Sequence, residues 1–355
     1  LLSSEKTLGI LIKYNFKKNN LNDETLQILN KNNTENKKIN NLKISFIGSG
    51  NYVRSTLALA FYKSAFRLKS ISSRSGLSSY NIAKKYSFEE VTTNVENIFI
   101  DNEINAVVIA TQHNTHADYI NKALKANKHI FVEKPLCLSH AELKIIKKTY
   151  NEIIKIGQFK PLLMVGFNRR FSPLIIKTKE LLRMKQGPKS VVITVNAGSI
   201  PGDHWTQDLN IGGGRINGEV CHFIDLARFI IDCSIVNQNL ICMKSELNDT
   251  LSISLSFRDG SIATIHYFAN GSKSVSKERI EIYASNGVLQ INNFKELKVF
   301  GWDGSKNKKL WSQDKGQNAC VEAFANSILN NEENPIPIDE IFEVTDVTLK
   351  LAEMV

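Results

Sequence analysis

The chain has 355 residues, 42% of them hydrophobic and 23% charged, the make-up of an ordinary globular protein with room for about two domains. No run approaches the roughly 20 consecutive apolar residues of a membrane span, and the N-terminus lacks the basic, apolar and small-residue order of a signal peptide, so a cytoplasmic protein is expected. The net charge of +10 is spread along the chain, with asparagines rather than aromatics between the lysines, which argues against nucleic acid and points to an anionic small molecule as partner.

Residues 1–40 read as an extension: "KTLGILIKYN" as one short strand, then a polar, Asn- and Lys-rich linker. A lone strand cannot bury its face, so it either pairs with an edge elsewhere or ends an upstream domain. From 41 to 165 strands alternate with helices. "LKISFIG", "RLKSIS", "INAVVIAT" and "HIFVE" read as strands, with "NYVRSTLALAFYKSAF", "SSYNIAKKY" and "THADYINKALKANK" as helices between them. Ser139 with Glu142 three residues on is a capping box opening a further long helix. Such alternation predicts α/β architecture with a parallel sheet. From 166 to 355 the rhythm changes to an α+β pattern: a mixed, largely antiparallel sheet packed by helices, with hairpin turns at Asp259-Gly260 and Asn286-Gly287 and two closing helices.

"FIGSGNYV" places Gly48 and Gly50 between the first strand and the first helix of this series, where a tight turn lets backbone amides approach a pyrophosphate at the helix N-terminus. Val53 stands where a third glycine would complete the pattern. No Asp or Glu occurs from Asn36 through Phe88, so the carboxylate that holds an adenosine ribose is missing. Ser72, Ser73 and Arg74 stand in its place and suit a 2′-phosphate, which favours NADP over NAD.

Lys134 follows "HIFVE" at the carboxyl end of a strand, where ligands of doubly wound sheets gather, and Pro135 restricts its backbone so that the side chain is aimed. Partial desolvation there would lower its pKa toward that of a proton shuttle. The five cysteines are scattered and odd in number, which predicts reduced thiols, and no Cys/His cluster suggests a metal; His113 and His116 fit a nucleotide-site loop better than ligation.

"GSGNYV", "VVIATQHNTHADYINKALKANKHIFVEKPL" and "GGGRINGEVCHFIDL" resemble the signature regions of the Gfo/Idh/MocA family of NAD(P)-dependent oxidoreductases, over roughly residues 42–355. The resemblance implies an N-terminal Rossmann domain, a second domain on an open, mostly antiparallel sheet, and hydride exchange between nicotinamide and a hydroxyl-bearing carbon of a sugar, inositol or sugar nucleotide. It implies Gly48, Gly50, Asn51 and Tyr52 on the phosphate-facing turn, and Thr111, Gln112, Asn114 and His116 along the nicotinamide ribose and pyrophosphate. Lys134 becomes the catalytic acid/base, oriented by Glu133. A narrower resemblance, in "LMVGFNRRFSP" and "NAGSIPGDHW", is to the C-terminal half of bacterial two-part proteins whose first half is similar to a zinc-type medium-chain dehydrogenase.

In that family an aspartate precedes the histidine of the third motif by one helical turn. Here His222 is present, but the aspartate position is Gly218, and Glu219, three residues before His222, is the candidate replacement. Asp225 reads as a structural partner. Asp203, His204 and Trp205 form a candidate substrate wall. Asn168, Arg169 and Arg170 lie at the domain crossing, with one arginine expected to clamp an anionic substrate and the other to be a solvated or ion-paired surface group. The expected protein is an NAD(P)-dependent dehydrogenase, assembled as a homodimer or homotetramer through the open sheet face. Its rivals are a redox-elimination glycosidase of the same family and a non-catalytic dinucleotide sensor.

Overall fold

The computed structural model describes residues 24–28, 42–74 and 76–355; the strand expected in "KTLGILIKYN" lies outside them. The first sheet contains β1 (Thr25–Gln27), β2 (Lys43–Ile47), β3 (Arg67–Ser72), β4 (Glu90–Thr92), β5 (Ile104–Ile109), β6 (His129–Val132) and β7 (Leu163–Val165), in the order β1-β4-β3-β2-β5-β6-β7. Strands β2 to β7 are parallel, and β5 and β6 are buried almost throughout, which is why they read as unbroken apolar runs rather than as alternating patterns. β1 corrects the linker reading. It pairs antiparallel with β4, Thr25 Oγ1 donating to Thr92 Oγ1 at 3.1 Å and Gln27 Nε2 to Glu90 Oε2 at 2.7 Å. Three residues, Thr-Leu-Gln, are too few to carry a readable period, so backbone pairing with the sheet edge decides this strand.

Around this sheet run α1 (Ala58–Lys63), α2 (Leu77–Tyr86), α3 (Glu96–Ile100), α4 (His116–Lys125) and α5 (His140–Ile156). Phe61 meets Phe46 and Phe131 edge to face, each pair 5.3 Å between centroids, a geometry worth about 0.5–1.5 kcal/mol beyond burial. The capping box forms with a one-residue offset: Ser139 Oγ accepts from Glu142 N at 3.2 Å, and Glu142 Oε2 accepts from Leu138 N at 2.8 Å.

The second sheet contains β8 (Ser190–Asn196), β9 (Ile235–Cys242), β10 (Leu251–Phe257), β11 (Ile262–Phe268), β12 (Glu278–Ala284), β13 (Gly287–Asn292), β14 (Glu296–Phe300) and β15 (Lys308–Lys309). Its order is β15-β14-β13-β12-β8-β11-β10-β9, with β8 and β11 parallel and every other neighbour antiparallel. One face is buried by Val191, Ile193, Val195, Leu251, Ile253, Ile265 and Tyr267, against which α7 (Cys221–Ile231) packs. The remaining helices are α6 (Pro173–Arg183), α8 (Gln317–Leu329) and α9 (Ile338–Ala352). α8 returns to the first half, where Phe324 packs on Phe66 and Phe131.

Both hairpins form, the second in a shifted frame. Gly260 turns with φ +85° between β10 and β11. Between β12 and β13 the left-handed residues are Ser285 and Asn286, while Gly287 already pairs with Ala284 as the first residue of β13. Gly287 is needed for another reason: a Cβ there would lie 2.3 Å from the Trp302 ring. Among the described residues, no helix is long and apolar enough to cross a membrane.

Candidate functional site

The first sheet's strand order reverses between β2 and β5, and the carboxyl ends of β2, β5 and β6 open onto one crevice. Gly48 leaves β2 with φ +108°, and a Cβ on it would stand 2.4 Å from Ala110 O at the end of β5. The two strand ends close up only around a glycine. Gly50 is different: a Cβ there meets nothing within 4 Å, so its backbone faces open space. The first helical bond runs from Arg54 N to Gly50 O, which leaves the preceding amides without helical acceptors beside that space. An anionic diphosphate fits such a turn. Asn51 and Tyr52 begin this helix and are exposed; Asn51 Oδ1 accepts from Arg54. The helix then passes through a π turn at Val53–Leu57.

At the end of β3, Ser72 is buried, Ser73 bonds Ser78 and Ser79, and Ser49 of the glycine turn bonds Ser78 at 2.6 Å. Arg74 is exposed and has no ion-pair partner among the described residues.

After β5, Thr111 Oγ1 pairs with Thr115 Oγ1 at 2.6 Å, Gln112 O accepts from the Thr115 hydroxyl, and Asn114 N donates to Ile211 O. His116 does not line the crevice. It is fully buried, with Nδ1 2.7 Å from Pro135 O and Nε2 3.3 Å from Thr111 O, and burial pushes it down to about 4. The ring ties the loop after β5 to the Lys134-Pro135 turn, so its expected place along the ribose is corrected to a structural one. His113, expected with His116 in a nucleotide-site loop, contacts the second half of the chain. Its Nδ1 lies 2.7 Å from Gly212 O, its ring is 4.8 Å from Trp205, and burial with the Lys134 charge brings it down to about 3.

Glu133 and Lys134 follow β6, and the Lys134-Pro135 bond is cis. Burial pushes the Glu133 carboxyl up to about 7, partly countered by the Lys134 charge. Gly166, just after β7, makes its space: a Cβ there would sit 2.8 Å from Glu133 Oε1. Lys134 Nζ donates to Gly218 O.

Gly218 belongs to a π turn, Ile216–Val220, that opens α7, and π turns displace backbone groups from the regular helical register. Where the resemblance implied an aspartate beside Lys134, a peptide carbonyl stands. His222, one turn on, is buried; its Nδ1 has no hydrogen-bond partner among the described residues, and its ring lies 6.0 Å from Phe167. Burial first, then the charges of Arg169, Lys134, Lys315 and Lys277, hold His222 well below the usual histidine value, so the ring is neutral.

Glu219 is no proton donor. Burial alone would raise its carboxyl, but Lys277 Nζ at 2.5 Å, the Tyr267 hydroxyl at 2.5 Å and nearby Arg215 hold it down at about 2. The expectation that it replaces the missing acid is corrected: it is a permanent carboxylate bound into the second sheet.

The arginines are corrected too. Arg169 grips Glu278 through Nε and Nη2, both at 2.9 Å, and Arg170 grips Asp225 and Glu340; both arginines are buried. Buried charges must be paired, and these pairs consume both forks. Asn168 Nδ2 donates to Lys315 O at 2.6 Å, fixing the loop before α8. Of the expected wall, Trp205 reaches the site through His113, while Asp203 and His204 are exposed. Lys277, Lys315 and Tyr267 went unpredicted because their partners lie tens of residues away and leave no local signal, whereas Arg215 stands four residues before its partner Glu219, a spacing visible in the sequence. Among the described residues no His/Cys/Asp/Glu group could hold a metal ion.

Residues 42–156 match the family described as "Oxidoreductase family, NAD-binding Rossmann fold" under the heading GFO_IDH_MocA. The chain is 26% identical over 228 residues to the myo-inositol 2-dehydrogenase of Thermotoga maritima and 26% over 234 to an inositol 2-dehydrogenase of Rhizobium meliloti, covering 61% and 64% of itself. It spans 65% and 68% of those relatives, about two thirds of their length. A levoglucosan dehydrogenase solved with NADH and levoglucosan shares the fold, with TM-score 0.76, 19% identity, and coverage of 88% of this chain and 96% of that one. The turn after β2 and the E-K-P segment after β6 both fall within residues 42–156, the part of the chain that matches this family.

Proposed function

We propose that the protein is an NAD(P)-dependent dehydrogenase that exchanges hydride with a hydroxyl-bearing carbon of a sugar or polyol. The observation that supports it most is the convergence of Lys134, at the end of β6, on the segment that carries His222, beside the open turn at Gly50. The relatives named for inositol oxidation support the substrate class. Bound nicotinamide would supply the two-electron hydride exchange at C4, with the diphosphate at the turn of Gly48 and Gly50.

Lys134 Nζ exchanges a proton with the reacting oxygen, held in place by the Gly218 carbonyl. His222, neutral and unpartnered at Nδ1, orients that oxygen by a hydrogen bond. The buried Glu133 sets the field on Lys134. Ser73 and Arg74 receive a 2′-phosphate, which makes NADP the preferred cofactor, and two or four copies assemble through the open face of the second sheet. Titrating the protein with NADH and NADPH, then following nicotinamide absorbance with a panel of polyols and aldoses, tests this reading. Binding of either cofactor with turnover of at least one polyol is expected; tight binding with no turnover of any sugar would make it a sensor instead.

A further inference from the structure

The walls around His222 carry more positive charge than they answer. Five cations stand there: Lys134, Arg169, Arg215, Lys277 and Lys315. Two committed carboxylates face them. Glu278 is shared by Arg169 and by Lys315 Nζ at 2.6 Å, and Glu219 is shared by Lys277 and Arg215. Lys134 has only a carbonyl, and the remaining carboxyl, Glu133, is pushed up to about 7.

A neutral sugar hydroxyl both donates and accepts, so a site built for it needs free acceptors as well as donors. Here the carboxylate acceptors are taken. Both Glu219 oxygens are bonded, by Lys277 and Tyr267, and both Glu278 oxygens are held by Arg169, with Lys315 on one of them. Donors remain. The half-exposed Lys277 ammonium gives one of its three N–H groups to Glu219, and Lys315 gives one to Glu278. A cleft walled by one sign of charge concentrates ligands of the other sign.

We infer that this pocket takes a carbohydrate bearing a negative group, a carboxylate or a phosphate, and that Lys277 is the residue that meets it. The inference rests on the dehydrogenase reading for where the sugar sits, and on the charge cluster alone for what kind of sugar it is. Lys277 keeps one N–H on Glu219 and offers the others to the anion, while Lys134 and His222 address the hydroxyl. A cationic pair shared with a carboxylate pre-positions the lysine, so the ordering cost at binding is small.

The test is a calorimetric titration of the full-length protein, saturated with NADH or NADPH, using glucose, glucuronate and glucose 6-phosphate at low and high ionic strength. One of the two anions should bind at least tenfold more tightly than glucose, the advantage should shrink as salt rises, and whichever binds identifies the group. Lys277→Gln should narrow that advantage fivefold or more. Equal or weaker binding of both anions relative to glucose, or a preference untouched by both salt and Lys277→Gln, overturns the inference. Turnover of the same three sugars separates the two readings. An anion that binds but is never oxidised sinks the dehydrogenase and leaves the anion pocket standing, whereas oxidation of glucose in preference to both anions does the reverse.

Discussion

The two walls of the crevice are built in different ways. On the first-sheet side, Gly48, Thr111 and Lys134 are each placed by the end of a strand that immediately precedes them, so position follows from local backbone. On the second-sheet side, Glu219, Arg169, Arg170, Glu278 and Lys315 are placed by charge pairs between residues 37 to 109 apart, with a longer reach from Arg170 to Glu340 and a local pair from Glu219 to Arg215. A wall set by strand ends tolerates changes in its side chains better than in its glycines. A wall set by buried ion pairs has the opposite weakness, because removing one partner leaves a charge stranded.

The largest effect should therefore come from the second wall. Asp225→Ala leaves the buried Arg170 with Glu340 alone and should cost about 3–5 kcal/mol, read by chemical denaturation. A loss below about 1 kcal/mol would mean the pair is a surface-like contact, and the contrast would fail. Next comes Gly48→Ala in the first wall. A positive φ and a 2.4 Å approach to Ala110 O should cost roughly 1–3 kcal/mol and weaken NADH binding in a fluorescence titration. Gly50→Ala, with nothing within 4 Å, should leave stability nearly unchanged by comparison.

The smallest effect concerns pH. His129, whose Nδ1 accepts from Leu162 N at 3.1 Å, is pushed down to about 4 by burial. Between about pH 4 and 6.5 the unfolded chain therefore binds the extra proton, so stability rises with pH there and is lost on acidification. His129→Asn keeps an acceptor without the titration, and denaturation midpoints across that window should fall less steeply than in the parent.

Much of the first wall was legible in the sequence, because strand, turn and helix are contiguous: "FIGSGNYV" and "HIFVEKP" carry their geometry with them. β1 escaped because three residues are too few to show a period, and it forms only against β4. The second wall was readable as elements but not as chemistry. "FNRRF" shows two arginines and nothing of Glu278 or Asp225, the buried partners that occupy both guanidinium groups and leave neither as a substrate clamp. "NGEVCH" shows a carboxylate near a histidine, and only the folded sheet brings the Lys277 and Tyr267 that keep it ionised. The π turn that aims Gly218 O at Lys134 leaves no mark on the residue pattern.

Lys134 is the group proposed to move the proton. Lys134→Ala, assayed by single-turnover nicotinamide absorbance on a sugar the parent oxidises, should slow hydride transfer by roughly a hundred- to ten-thousand-fold while NADH affinity stays within a few-fold. Turnover within tenfold of the parent at unchanged cofactor binding would contradict it.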